Sequence, residues 1–241
     1  MKVVAWILVL LFTPVMTRAA EPVAKLGNLH AGKVLFLGNS ITLHGPATAI
    51  GWTGNWGMAA SAPEKDYVHL VTADLEKLTG QKPVTKVRNI ADFERGYETF
   101  DIAGQLKPEL NFKADLVIIA IGENVADPAT EAARANYLAA LGRLMTTFQQ
   151  NGSPAIFARS SFWPHATKDQ ILMKASAEAE VTFIDISKLG RDSSNAASAE
   201  RKIEHAGVAG HPGDKGMRAI ADEIVGAMKK RAGLPLVPSE K

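Results

Sequence analysis

The 241-residue sequence contains no cysteine, and that absence excludes disulfide bridges and thiolate-held zinc outright. It also lacks an excess of either charge. Lys and Arg number 27 against 25 Asp and Glu, for a formal net charge of +2. No basic block or stripe breaks this balance, so a phosphate backbone meets no docking face and no nucleic-acid partner is expected. The six histidines are scattered. His44, His69 and His205 share no ligand spacing, so neither a metal site nor another cofactor is expected. Internal repeats and interior linkers are missing as well. Long apolar runs are absent too, with one partial exception at the N-terminus. Residues 3–15, VVAWILVLLFTPV, form an apolar stretch too short for a comfortable membrane span. Lys2 precedes it, and small residues around Ala19 and Ala20 follow, which is the pattern of a cleaved secretory signal peptide. No cysteine follows the stretch, which rules out a lipoprotein anchor. The expected organisation is a leader over 1–20 and one domain over 21–241. That domain is expected to be secreted or periplasmic, with no stable membrane insertion after cleavage. Such a domain holds together by its core alone, and 46% hydrophobic residues supply one.

What is present is an alternation. Residues 33–37 (KVLFL) are a short apolar run meeting a Gly-Asn-Ser turn. A helical pattern follows over 64–79, closed by Gly80. A second strand is expected over 84–90 and a short helix over 97–106, ended by Pro108. Residues 115–121 (DLVIIAI) are a near-continuous apolar run, typical of a strand covered on both faces. Helix 130–150, strand 155–158, helix 168–179, strand 181–186 and helix 214–232 complete the pattern. Five apolar strands alternating with helices predict an α/β fold, a parallel sheet wrapped on both faces. The polar, Ser/Ala-rich segment 190–206 is expected to be a surface excursion, and the tail 234–241 to fray.

Ligands of open parallel sheets bind at the carboxyl ends of the strands. Three reactive segments fall at such ends or just before a helix: Gly38-Asn39-Ser40, Gly122-Glu123-Asn124 and His211-Pro212-Gly213-Asp214. A serine hydroxyl becomes nucleophilic when a neighbouring histidine takes its proton, and histidine titrates near neutral pH. An asparagine N–H can stabilise a developing oxyanion. Each residue also has a plain structural reading. Ser40 suits a helix N-cap, Asn124 a turn and His211 a loop. It is their joint placement at three matched positions that points to Ser40 and His211 as catalytic residues and to Ser40 and Asn124 as the oxyanion hole.

In these three blocks the chain resembles the SGNH (GDSL-like) hydrolase superfamily, over residues 33 to about 230. The resemblance implies a flavodoxin-like three-layer α/β/α sandwich and metal-free ester hydrolysis through an acyl-enzyme. It also implies an oxyanion hole formed by Ser40, Asn124 and a second-block backbone N–H. Two departures stand out. The segment Asn89-Ile90-Ala91-Asp92-Phe93-Glu94-Arg95 lacks the glycine usual in the second block. Val208 occupies the position, three residues before the histidine, where the family places its acid. Glu204, Asp185, Glu94, Glu123 or a backbone carbonyl are the candidates to orient His211, and Asp214 is expected to cap the last helix. Residues 51–57 (GWTGNWG) bring Trp52 and Trp56 near the nucleophile in a Gly-rich loop. They are expected either to face substrate, as a sugar platform or an acyl wall, or to pack the loop onto the domain. Trp163 is a weaker case of the same kind. The substrate expected is a small-molecule or glycan ester, with an acetyl group on a carbohydrate foremost. A weakly active glycan-binding domain and an acyl-chain lipase or thioesterase are the alternatives.

Overall fold

A computed structural model describes residues 24–235. The expected leader and the end of the tail lie outside the described residues. The chain opens with a small hairpin, β1 (Lys25–Leu26) and β2 (Leu29–His30). The alternation then runs β3 (Lys33–Gly38), α1 (Tyr67–Thr79), β4 (Val84–Asn89), α2 (Ala91–Gly96), α3 (Ile102–Gln105), α4 (Lys107–Asn111) and β5 (Leu116–Ala120). It continues α5 (Glu131–Gln150), β6 (Ala155–Arg159), α6 (Ala166–Glu178), β7 (Thr182–Ile184), α7 (Ser187–Arg191), α8 (Ala206–Ala209) and α9 (Asp214–Arg231). The five long strands form one parallel sheet in the order β4-β3-β5-β6-β7. This is the flavodoxin-like order, whose switch point lies beside β3.

Strand residues alternate between two apolar layers, as a side-chain period of two requires. Val34, Phe36, Leu116 and Ile118 pack with the buried faces of α1 and α9. Leu35, Leu37, Val117 and Ile119 pack on the opposite side against α5 and α6. In α5 the buried residues are Tyr137, Ala140, Leu141, Leu144, Met145 and Phe148, a helical i, i+3, i+4 stripe. Thr130 caps its start by accepting the Ala133 N–H at 3.1 Å. Each such large side chain stabilises the sandwich by about 1.5–3 kcal/mol.

Two segments differ from expectation. Of the helix expected over 97–106 only α3 forms, with residues 97–101 outside any helix, and the unexpected α2 precedes it. The helix before Pro108 ends as expected, at Gln105, but Pro108 itself lies in the first turn of α4, where no N–H is needed from it. Segment 190–206 is partly a packed element. Asn195 and Ala197 are buried, and Ala197 joins Trp52, Met58, Ala59 and Val208 in a third small core. Ser193 and Ser198 are exposed as expected, and the polar residues around Ala197 hid its packing from a reading based on polarity.

Candidate active site

Strand register assembles the site. Gly38 pairs with Asn89 and with Ala120, Ala120 with Arg159, and Arg159 with Ile184. These residues form one row at the carboxyl edge of the sheet, and the chain segments that leave it carry the polar groups. A Cβ on Gly38 would overlap the Thr42 hydroxyl, so only glycine allows the turn into Asn39-Ser40 to close. The Ser40 carbonyl accepts the Met58 N–H at 2.8 Å, while its own N–H meets no acceptor among the described residues.

His211 arrives from the other end of the chain, just ahead of α9. Its Nε2 lies 2.8 Å from Ser40 Oγ. Its Nδ1 lies 2.7 Å from the carbonyl of Gly207. A carbonyl can only accept, so Nδ1 carries the proton and Nε2 is left with its lone pair facing the hydroxyl. Burial pushes the imidazole below its usual pKa, against the opposing pull of the Gly207 bond and of Glu123, so the ring is neutral at neutral pH.

Of the groups expected to orient His211, then, the backbone carbonyl occupies that position. Glu204 is exposed and pairs with Lys202 at 3.0 Å. Asp185 accepts the Ser187 N–H at 2.8 Å and the Ser160 hydroxyl at 3.4 Å. Val208 lies buried in α8, with its side chain in the small third core. Asp214 does not cap α9. It accepts from the N–H and hydroxyl of Ser61, at 2.8 and 2.6 Å. The cap comes from Glu200, whose carboxylate accepts the N–H groups of Asp214 and Lys215 at 2.8 and 2.7 Å.

Asn124 lines the same cavity as Ser40 and His211. Its Nδ2 donates to Glu94 Oε2 at 2.7 Å, and its Oδ1 accepts from Arg95 at 3.2 Å. Of the two Nδ2 hydrogens, one remains for the cavity. Gly122, which begins this loop, has φ 128°, a region that side chains rarely adopt, and a Cβ there would overlap the Ser161 hydroxyl. In the second block the Ala91 N–H is already committed to Asn89 Oδ1 at 2.9 Å.

Below the cavity lies a buried ionic network. Glu123 accepts from Arg159 at 2.7 Å, from the Phe162 N–H at 2.8 Å and from Asn39 Nδ2 at 2.7 Å. Burial acts to raise its carboxyl, but Arg159 and these hydrogen bonds hold it below the usual range. Glu94 is pushed up by burial and by the Glu123 charge. Glu94 and Glu123 appeared in the sequence only as candidate acids for the histidine, and Arg159 not at all. The available signal was a charged residue closing the apolar run 155–158, which a sheet interior tolerates only when the charge is paired.

The cavity encloses about 490 Å³. His44, Asn89, Asp92, Arg95 and His205 contribute polar walls, with Ile50, Met58 and Val208 as the apolar part. Trp52 and Trp56 are not among its walls. They pack edge to face at 5.4 Å, and their Nε1 groups donate to the carbonyls of His44 and Ala60. The expectation that they face substrate gives way to the packing reading, because the Gly-rich loop folds the two rings onto each other and onto the third core. Trp163 takes the exposed place instead. It is 39% exposed and stands edge to face with His211 at 5.0 Å, with its Nε1 on the Gly210 carbonyl.

Neither the family models nor the curated proteins give a match to this chain. Solved structures do. A two-domain esterase active on acetylated mannans matches with a TM-score of 0.53 and 17% identity over 86% of this chain. This chain spans 53% of that protein, about half its length. A family two carbohydrate esterase from Clostridium thermocellum matches with a TM-score of 0.53, 14% identity and coverage of 84% and 64% of the two chains. A protein of the GDSL-like lipase type from Parabacteroides merdae matches with a TM-score of 0.55 and 16% identity, covering 83% of this chain and 97% of its own. The fold is therefore the three-layer α/β/α sandwich shared by these esterases and GDSL-like lipases.

Proposed function

We propose that this chain is a serine esterase that removes a small acyl group, of the acetyl type, from a carbohydrate. The observation that carries the proposal is the alignment of the Ser40 hydroxyl, the His211 ring and the Gly207 carbonyl. In this reading His211 Nε2 takes the Ser40 proton as Oγ attacks the ester carbonyl. The Ser40 N–H and the Asn124 side chain receive the oxyanion, worth roughly 10²–10³ in rate per donor. The imidazolium then returns its proton to the leaving sugar oxygen, and water attacks the acyl-enzyme by the same route in reverse. The carbohydrate part rests on the esterase neighbours and on Trp163, whose exposed face beside His211 suits stacking on a sugar ring. His44, Asn89, Asp92, Arg95 and His205 in the cavity wall offer hydrogen bonds to a hydroxylated leaving group. The leader expected over 1–20 suits a polysaccharide outside the cytoplasm. Among the described residues no helix is long and apolar enough to cross a membrane.

The test is turnover of p-nitrophenyl acetate and of acetylated xylan or mannan by the 21–241 domain, beside its Ser40→Ala variant. Loss of about 10⁶ in kcat is expected when the nucleophile of a serine enzyme is removed. Equal rates in the two proteins would overturn the assignment. A second reading, a glycan-binding domain with little turnover, draws support from the carbonyl that stands where a carboxylate would otherwise stabilise the imidazolium. It requires saccharide binding with no covalent labelling of Ser40 by a fluorophosphonate.

A further inference from the structure

We infer that Glu94 is a positioning residue for the oxyanion site, acting through Asn124. This rests on the esterase reading above. An asparagine amide is nearly symmetric in shape, and a half-turn of its side chain exchanges oxygen for nitrogen. An oxyanion hole works only when nitrogen faces the reacting centre. Here both ends of the Asn124 amide are specified by charge. Glu94, a carboxylate, can only accept, and it takes Nδ2 at 2.7 Å. Arg95, a guanidinium, can only donate, and it takes Oδ1 at 3.2 Å. Turning the amide over would press oxygen against the carboxylate and nitrogen against the guanidinium.

Glu94 does more than fix the side chain. Its Oε1 also accepts the N–H groups of Gly122 and Asn124, at 2.6 and 3.2 Å, and Asn39 Nδ2 at 3.2 Å. One carboxylate on α2 thus ties the segment before Ser40 to the loop that carries Asn124. A stability role alone explains this poorly. Arg159 is matched by Glu123 at 2.7 Å, and no ion pair of Glu94 occurs among the described residues. A fully buried carboxylate without a counter-charge is costly, yet its acceptor capacity is spent on donors of the two loops beside the cavity.

The test is a double-mutant cycle with p-nitrophenyl acetate on the wild type, Glu94→Gln, Asn124→Ala and the double variant, each checked for a cooperative melt. Glutamine keeps the size of Glu94 but presents an NH₂ group to Asn124 Nδ2, which removes the preference for one amide orientation. Glu94→Gln is expected to lower kcat by about tenfold or more with KM within about twofold, and by less than about twofold once Asn124 is alanine. Equal losses in both backgrounds, or an unchanged kcat in the folded single variant, would overturn the inference. Should Glu94→Gln not fold, Arg95→Met frees the other end of the amide from the exposed side. The same rule then applies, a kcat loss present with Asn124 and absent without it. A wild type with no turnover at all would count against the esterase reading itself, whereas additive losses in an active enzyme count only against the role of Glu94.

Discussion

Substituting Val208→Asp would place a carboxylate where the SGNH resemblance expects one, and the structure predicts harm rather than gain. Val208 is 4% exposed and packs with Trp52, Met58 and Ala197. Losing a buried valine side chain gives up about 1.5–3 kcal/mol. An uncompensated buried charge costs about 3–5 kcal/mol more, less whatever it recovers by taking up a proton or a partner. The partner that this position offers in the family is His211 Nδ1, and here the Gly207 carbonyl already occupies it at 2.7 Å. A net loss of about 3–5 kcal/mol lowers the melting temperature of a domain this size by roughly 6–20 °C. Turnover per folded molecule should stay within about threefold, because the tautomer an acid would select is already selected; removing the acid alone costs about 3 × 10⁴ in subtilisin, a worked case in which that role is not otherwise filled. The assay is thermal denaturation by circular dichroism together with p-nitrophenyl acetate kinetics, with Val208→Asn as the uncharged control. A Val208→Asp protein that melts like the wild type and gains tenfold or more in kcat would refute the reasoning. It would mean that α8 admits the carboxylate to the ring and that a carbonyl is a deficient partner.

Two further outcomes follow from the site. Because burial lowers the His211 pKa, kcat/KM should rise with pH along a limb centred below 6.5 and be flat by neutral pH. The same shift makes His211 disfavour the folded state as pH falls through the unfolded value of about 6.5 toward the folded one. A limb centred above 6.5 would indicate an anionic partner for the ring. Trp163→Ala should raise KM for an acetylated oligosaccharide by about fivefold to tenfold, the loss of one aromatic contact, while changing p-nitrophenyl acetate turnover by less than about threefold. Equal losses on both substrates would place Trp163 in support of His211 rather than on the sugar.

Much of the fold was legible because its strands are almost pure apolar runs. β5 is buried at all five positions, and a strand covered on both faces has no other way to read. That Ser40 and Asn124 would line one cavity was legible because strand ends in a parallel sheet converge on one edge, and His211 joins them from the turn ahead of α9. The partner of His211 was not, since a main-chain carbonyl leaves no mark in the residue types and becomes visible only when the turn of α8 is placed. Trp52 and Trp56 illustrate the opposite failure. Aromatic residues between glycines look exposed, and nothing in the spacing shows that the two rings face each other. Segment 190–206 misled for a related reason, since the buried Asn195 and Ala197 sit among exposed polar neighbours that set its average character. The network of Glu94, Glu123 and Arg159 combines residues from three strand ends, a meeting that only strand order brings about.

The carbonyl that holds His211 is encoded by no side chain. In a serine enzyme with a carboxylate partner, one base change in one codon can delete the orienting group. Here no single replacement can remove the acceptor, because every amino acid contributes the same C=O. Only a change that distorts the short turn of α8 can misdirect it. The Ser40–His211 pair thus has no charged third member, and the hydrogen bond that orients the imidazole is shielded from point mutation at that position.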